Sequence, residues 1–174
     1  MIFKNLNTNE YPSVYEGYFA NIQAEDHLLE VLEASMHYFI QFVQNIPMDK
    51  FDYAYQEGKW TIKQIIQHLI DSERIFAFRM LHICRKDASP LREFDHNLYV
   101  ENSNAAQRHL KDLLMEFSLV RHSTLALLKS LTSEQLEYVG EVNNNVISVR
   151  ALGFLIYAHQ EHHKTIYEQR YLNS

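Results

Sequence analysis

Three histidines stand within five residues near the end of the chain: His159, His162 and His163. On a helix, His159 and His163 project from adjacent turns of one face, close enough to share a metal ion. Both lie at the centre of an arc that also contains Leu152 and Ile156, whereas His162 lies nearer its edge. A lone histidine on an apolar face is usually a hydrogen-bonded core residue. Two adjacent imidazoles are costly to bury unless their nitrogens have partners, and one metal ion is a partner for both, so the spacing predicts a metal site.

A third ligand would have to come from another helix. His68 is the best-placed candidate because it lies beside Leu69 and flanks the apolar stripe of a second predicted helix. His37 and His122 are the next candidates. Spacing alone leaves this choice open, since a histidine at the edge of a stripe is usually solvated. The histidines outside the C-terminal cluster are His27, His37, His68, His82, His96, His109 and His122.

The number of protein ligands indicates what such a site does. A zinc site with three protein ligands and a free position is catalytic in type, because it makes a bound water acidic enough to supply hydroxide near neutral pH. Structural zinc sites are closed by four ligands and favour cysteine, and this chain offers only Cys84. Ligation by nitrogen alone also suits nickel, iron or copper, so the residues leave the identity of the metal open.

The pattern of helical zinc proteases is absent. Those enzymes carry H-E-x-x-H, in which the glutamate beside the first ligand is the general base. Here Gln160 occupies that place, and Glu161 is rotated away from the face of the two histidines. The sequence therefore disfavours proteolysis of this type and offers no separate general base.

Four stretches with helical periodicity are expected to position the histidines. The expected bounds are about 14–43, Thr61 to just before Pro90, about 104–130, and Ser148 to about 171. Such a series of long stripes favours a single-domain four-helix bundle over residues 1–174.

Helix ends and connections support these bounds. Thr61 and Gln64 form a capping-box pattern at the start of the second helix, and Ser148 is a favourable N-cap for the fourth. The connections 47–60, 88–103 and 139–148 are predicted as loops, which are long for a simple bundle.

Composition limits the partners of the chain. It has 22 acidic and 16 basic residues, a net charge of −6, and no cluster of basic residues, which argues against binding to nucleic acid. The N-terminus lacks the pattern of a signal peptide, and the clearly apolar runs reach about seven residues, far short of the ~20 that a membrane span needs. We therefore expect a cytoplasmic protein that does not enter a membrane.

Two groups of residues near the second helix have two interpretations each. Trp60 and Tyr55 either form an aromatic wall at the mouth of the metal site or, as we favour, cap the end of the core. Arg92, Asp95 and His96 either bind an anionic substrate or take part in acid–base chemistry, or they are solvated loop residues. We favour the solvated loop.

Taken together, these segments resemble the DinB/YfiT-like family of metal-dependent enzymes. The resemblance covers essentially the whole chain and is most specific in residues 58–81, GKWTIKQIIQHLIDSERIFAFRML, and 151–172, ALGFLIYAHQEHHKTIYEQRYL. It implies an all-α four-helix bundle with up-down-down-up topology and a divalent metal, most often zinc or nickel, held by His68, His159 and His163. Family members often have glycine where this chain has Ala158, a small substitution. Members commonly form homodimers.

The resemblance implies two kinds of reaction on a small molecule. One is hydrolysis, and the other is transfer or isomerisation that uses a low-molecular-weight thiol as co-substrate. In either case the water or thiolate activated by the metal is the expected nucleophile, and no catalytic side chain is assigned. The alternative hypothesis is a non-catalytic bundle that the metal only stabilises and that acts as a homodimeric interaction module.

Overall fold

The computed structural model describes residues 1–172. The last two residues of the domain expected over 1–174 lie outside the described residues. The long helices are α2 Leu28–Gln44, α3 Ile62–Cys84, α5 Leu110–Lys129 and α7 Val149–Ile166, and the short ones are α1 Glu16–Phe19, α4 His96–Glu101 and α6 Ser133–Glu137. Between α6 and α7 lie the strands β1 Val139–Val142 and β2 Asn145–Ser148, and α7 continues as a π-helical segment, Tyr167–Leu172.

The long helices form a four-helix bundle with up-down-down-up topology, as expected. The Tyr167 hydroxyl donates to the Ile62 carbonyl at 3.0 Å, so the start of α3 lies at the end of α7 and the two are antiparallel. The Lys63 ammonium donates to the Ala106 carbonyl at 2.8 Å, which places the starts of α3 and α5 together and makes these neighbours parallel. Helix α2 contacts α5 and α7 and lies diagonally opposite α3.

The parallel pair explains why the connection from α3 to α5 is long. Helix α3 has 23 residues and is therefore about 34 Å long, and the chain must return over that length before α5 begins. Residues 85–109 make this return and carry α4. This crossover passes over the side of the bundle where α3 faces α7.

The apolar core is divided into two clusters, one at each end of the bundle. The first surrounds Leu32, Met80 and Phe154, and the second surrounds Phe39 and Ile66. The buried polar side chains between them form a layer at mid-bundle, and its members are Ser35, His68, Ser72, Glu73, Arg121, His159, Gln160 and His163.

Arg121 on α5 joins all four long helices within this polar layer. Its Nε and Nη2 groups donate to the Glu73 carboxylate on α3 at 2.9–3.1 Å. The Nη1 group donates to the Leu32 carbonyl and the Ser35 hydroxyl on α2, and Nη2 also donates to Gln160 Oε1 on α7 at 2.9 Å. Every nitrogen of this fully buried guanidinium therefore has a partner, which is the condition for burying a charge at tolerable cost.

A second buried ion pair anchors the N-terminal segment to the start of α7. Arg150 Nε donates to Glu10 Oε2 at 2.6 Å, and Arg150 Nη1 donates to Glu137 at 2.9 Å. Burial alone would raise the pKa of the Glu10 carboxyl, but hydrogen bonds from Arg150, Asn7 and Ser148 outweigh burial and lower that pKa to about 2.

The helix caps that short sequence patterns predicted are present in the structure. The Thr61 hydroxyl accepts from Gln64 N while Gln64 Oε1 accepts from Thr61 N, so the predicted capping box is present. The Ser148 hydroxyl accepts from Ala151 N at the start of α7. Helix α3 ends at Cys84, before Pro90, because the chain turns through the left-handed region at Lys86.

The predicted bounds of the first and third helices were wrong. The first was expected over 14–43, but the chain leaves the helix after α1 and re-enters it at Leu28. Residues 24–28 instead pair with the N-terminal segment, where Phe3 N donates to Asp26 O and Leu28 N donates to Met1 O. The third was expected from about 104, whereas α5 begins at Leu110 after a short 3-10 turn.

The connection 139–148 was predicted as a loop and is an antiparallel hairpin. Asn143 and Asn144 form its two-residue turn, both with positive φ, 49° and 64°. Two positive φ values define the type I′ turn that matches the twist of a hairpin, and asparagine adopts them more readily than most residues. Asn143-Asn144 was therefore a usable signal for the hairpin.

Replacing Arg121 should destabilise the bundle strongly. In Arg121→Met the Glu73 carboxylate is left buried without its cation, and we expect the free energy of unfolding to fall by about 3–5 kcal/mol. Arg74→Met is the matched control, because Arg74 pairs with Glu116 between the same two helices but is about half exposed. That variant should lose less than about 1 kcal/mol. Urea denaturation of both variants measures the difference, and equal losses would show that the buried pair has no special role.

The Glu10–Arg150 pair should make stability depend on acid pH. Because the folded state lowers the pKa of Glu10 from 4.5 to about 2, its contribution is fully present above about pH 4.5 and is lost as pH falls towards 2. Glu10→Gln should therefore be less stable than wild type by about 2 kcal/mol at pH 7, with a difference that shrinks below pH 4. Chemical denaturation at pH 7 and pH 3 tests this, and a difference independent of pH would contradict it.

Candidate metal centre

The Nε2 atoms of His68, His159 and His163 converge between α3 and α7. His159 Nε2 lies 3.1 Å from His68 Nε2 and 3.1 Å from His163 Nε2. One ring nitrogen of each residue lies within 4.8 Å of the other two. The three imidazoles therefore point their nitrogens at one position.

Two antiparallel helices make this convergence possible. His159 and His163 lie on successive turns of α7. His68 lies near the start of α3, which is beside the C-terminal end of α7. The ring centroids of the three histidines are 4.7–5.0 Å apart. Spacing along α7 thus supplies two nitrogens, and the direction of α3 supplies the third.

Burial keeps all three imidazoles neutral. Each is at most 8% exposed. Burial, and to a smaller extent the neighbouring His96, lowers the pKa of His68 to about 4. Burial also lowers the pKa values of His159 and His163 well below 6.5, and the neighbouring histidines add to this. Neutral imidazole is the form that binds a metal, so the site is ready to bind at neutral pH.

The hydrogen bonding of the cluster tests whether a metal fits. A neutral imidazole Nε2 offers either one N–H or one lone pair, so His159 Nε2 cannot make good hydrogen bonds to both of its neighbours. A single cation accepts the lone pair of all three nitrogens. Imidazole nitrogens bound to a tetrahedral zinc at 2.0–2.1 Å lie about 3.3 Å apart, close to the 3.1 Å found here. The residues present therefore fit a divalent metal.

The Nδ1 nitrogens of His68 and His163 have different surroundings. His68 Nδ1 lies 3.4 Å from the Ser72 hydroxyl, one turn further along α3. His163 Nδ1 is buried and has no hydrogen-bond partner among residues 1–172. The His68 ring is thus oriented by a hydroxyl and by the Trp60 ring, 4.8 Å away, whereas packing alone orients His163.

A cavity of about 460 Å³ adjoins the three histidines, within the size range of small-molecule sites. Its walls come from α3, α7, the N-terminal segment and the crossover between α3 and α5. The residues that line it are Tyr15, Tyr18, Trp60, His68, Ser72, Phe76, Arg79, Glu93, Phe94, His96, Leu155, His159, His162 and His163. The surroundings of the nitrogens are therefore mostly aromatic, with few charges.

The structure brings together the three residues that the resemblance implied as ligands. The two lower-ranked candidates lie elsewhere, because His37 on α2 and His122 on α5 are exposed, and His122 Nδ1 is bonded to the Ser118 carbonyl. Neither belongs to the cluster found in residues 1–172.

Several residues that line the cavity were not predicted, or not favoured, as cavity residues from the sequence. Trp60 and Tyr55 pack against the second apolar cluster, as favoured above, but Trp60 also lines the cavity and contacts His68. His96, favoured as a solvated loop residue, is exposed but lines the cavity with its ring 5.8 Å from His68. Tyr15 and Tyr18 were missed because the break before α2 that brings them to α7 was not predicted.

Comparison with known proteins agrees with this fold and shows the family of the chain. The family description of the DinB superfamily matches residues 32–166, and the chain therefore belongs to the DinB superfamily. The chain is also similar to a protein of Bacillus subtilis (strain 168) named "Putative metal-dependent hydrolase YfiT", with 24% identity over 144 residues, 81% of this chain and 80% of that one.

Two solved structures share the fold. The structure of YfiT from Bacillus subtilis, described as "a probable metal-dependent hydrolase with an unusual four-helix bundle topology", matches with a TM-score of 0.71 and 22% identity over 82% of this chain and 85% of that one. The mycothiol-dependent maleylpyruvate isomerase matches with a TM-score of 0.66 and 9% identity, over 79% of this chain and 58% of the isomerase. The likeness to YfiT confirms the predicted four-helix bundle.

Each of the three histidines should be required for metal binding. Wild-type protein dialysed against zinc or nickel should retain about one ion per chain, and His68→Ala, His159→Ala and His163→Ala should retain almost none, because two imidazoles hold a divalent ion far more weakly. His122→Ala is the matched control and should retain the wild-type amount. Elemental analysis measures the content. A wild-type chain that takes up neither metal, or single variants that keep it, would contradict the assignment.

Proposed function

We propose that this chain is a metal-dependent enzyme that acts on a small molecule, with a divalent metal held by His68, His159 and His163. The observation that carries the proposal is the convergence of three neutral imidazole nitrogens beside a cavity. Membership of the DinB superfamily and the similarity to a protein named as a metal-dependent hydrolase support it.

A divalent ion held by His68, His159 and His163 would supply Lewis-acid chemistry for a water or a thiol near neutral pH. The chain itself orients the three imidazoles and gives the cavity aromatic walls. Trp60 and Phe76 line the cavity next to His68 and His159, and Ser72 holds the His68 ring through Nδ1. Because the three ligands stay neutral, they add no negative charge that would weaken the acidity of the centre.

Two further imidazoles can move protons in the cavity. His162 and His96 line it without belonging to the convergent set, and the His162 ring packs on Tyr18 at 4.9 Å. Burial lowers the pKa of His162 below 6.5, so its free nitrogen is able to accept a proton at neutral pH. Burial raises the pKa of the Tyr15 and Tyr18 hydroxyls, which therefore remain hydrogen-bond donors.

Within this proposal the reaction is either hydrolysis or a transfer or isomerisation that uses a low-molecular-weight thiol. The similarity to YfiT favours hydrolysis. A cavity that adjoins the ligand nitrogens also favours chemistry over the non-catalytic alternative, because a purely structural centre has no need of a space for substrate.

The finer expectations stay predictions. Zinc or nickel as the metal and homodimer formation are proposed from the family resemblance, and a cytoplasmic location is proposed from the sequence. None of the helices in the part of the chain described has the length and apolar character needed to cross a membrane. The net charge of −6 continues to argue against nucleic acid as a partner.

An open coordination position should be visible in cobalt-substituted protein. We expect azide and a simple thiol such as 2-mercaptoethanol each to change the visible absorption spectrum and to saturate, because a centre with three protein ligands exchanges its remaining ligand. His159→Ala, which should not hold the cobalt, is the control. A spectrum that neither reagent changes would show a sealed centre and support the non-catalytic alternative. Hydrolysis of p-nitrophenyl acetate with and without thiol then separates the two reactions.

A further inference from the structure

Three arginines are buried in the described part of the chain, and only one of them lacks a carboxylate partner. Arg121 is paired with Glu73 and Arg150 with Glu10. Arg79, on α3, is 4% exposed, yet no carboxylate of residues 1–172 lies within 4.0 Å of its guanidinium. A buried charge normally has a counter-charge, because taking it out of water without one is costly.

The contacts of Arg79 are all with neutral groups. Its Nη2 group donates to the Arg92 carbonyl at 2.8 Å, and its Cζ atom lies 5.9 Å from the centre of the Phe94 ring. The Nε and Nη1 groups have no hydrogen-bond partner in the described residues, and neither is among the buried unpaired nitrogens, so both are accessible from the cavity. Burial lowers the pKa of Arg79, while Tyr15 and Glu93 act in the opposite direction, and the guanidinium stays charged at neutral pH.

Arg79 lies in the same cavity as the three histidines. His68, Ser72, Phe76 and Arg79 follow one another along a single face of α3, and all four line the cavity. His68 and Arg79 are about 16 Å apart along the helix axis, a distance that the arginine side chain shortens by leaning towards the N-terminus. The cavity thus has a metal-ligating end and a cationic end with aromatic walls between them.

Glu93 is the nearest acidic residue to this cationic end. It also lines the cavity and raises the pKa of Arg79 through its charge, but it is exposed and makes no ion pair with the guanidinium. The Tyr15 hydroxyl, which faces Arg79 from the N-terminal segment, carries no charge at neutral pH. The position opposite Nε and Nη1 is therefore available to an anion from outside the chain.

We propose that Arg79 binds a carboxylate of the ligand, so that the substrate class is an elongated small molecule with an apolar body and a carboxylate at one end. Two N–H groups in a planar fork match the two oxygens of a carboxylate. The proposal rests on the proposed function in one respect: the carboxylate belongs either to the substrate or to the thiol co-substrate of that reaction.

Metal-free protein tests carboxylate binding apart from catalysis. Trp60, the only tryptophan of the chain, lines the cavity and reports binding by its fluorescence. The first probe is 4-phenylbutyrate, with 4-phenylbutan-1-ol as its neutral match. The second is N-acetylcysteine, with its amide as the neutral match. We expect at least one acid to bind about ten-fold or more tightly than its match, since charge-assisted hydrogen bonds are roughly twice as strong as neutral ones.

Two variants, Arg79→Met and Glu93→Gln, should change the affinity for the acid in opposite directions and so locate its binding site. Arg79→Met should abolish the preference for the acid, while Arg85→Met, which replaces an exposed arginine directly after the end of α3, should keep it. Glu93→Gln leaves Arg79 in place and should bind the acid about two- to five-fold more tightly, because it removes a competing charge. Glu93→Gln keeps the test decisive if Arg79→Met does not fold. Circular dichroism and zinc content, which should match wild type, check the fold of each variant.

The outcomes separate the two sources and the two proposals. Preference for phenylbutyrate alone assigns the carboxylate to the substrate, and preference for N-acetylcysteine alone assigns it to the thiol. If neither acid is preferred by wild type or by Glu93→Gln, or if Arg79→Met keeps the preference, the proposal is overturned. Wild-type protein that prefers the acid but takes up no metal would overturn the proposed enzyme and leave the carboxylate site standing.

Discussion

The burial of Arg121 is the constraint on which the rest of the bundle depends. One guanidinium satisfies groups on α2, α3 and α7 at once, so each of these helices has a single register against α5 in which all the hydrogen bonds close. Glu73 lies five residues after His68, and Gln160 follows His159 directly. The same registers therefore bring His68 level with His159 and His163, so the polar layer positions the three histidines of the candidate metal centre.

This layer fixes alignment more than it adds stability. A buried ion pair roughly offsets its own desolvation, whereas the two apolar clusters on either side of it supply the favourable free energy of folding. Slipping α3 along α7 by one turn would keep much of the apolar contact but would leave a charge and several hydrogen-bonding groups without partners. Because this slip would raise the free energy of the folded state, only one placement of the histidines is stable.

The sequence predicted those features whose causes are local. Periodicity identified four helices, the Thr61–Gln64 box marked a helix start, and the spacing of His159 and His163 placed both on one face. The third ligand depended on which helices are neighbours, so spacing could not choose His68 and only the family resemblance did. The break before α2 was missed because it follows from pairing with the N-terminal segment, a contact distant in sequence. From the sequence, Arg79 was only one of three charged residues after His68, with Glu73 and Arg74, that could support the metal ligands, because a missing counter-charge is a property of tertiary structure.

The distribution of charge explains how an acidic protein can hold an anion. The net charge of −6 is spread over the surface, and at physiological salt the field of an exposed charge decays within about 8 Å. Inside the cavity the three histidines are neutral and the guanidinium of Arg79, itself buried, is the one cation among the lining residues, so its local field dominates at that end. A polyanion such as a nucleic acid would meet the acidic surface over its whole length, whereas a small carboxylate meets only the cavity. The same arrangement that disfavours nucleic acid thus selects small, singly anionic ligands, with their apolar part against the aromatic walls and their reacting end towards the histidines.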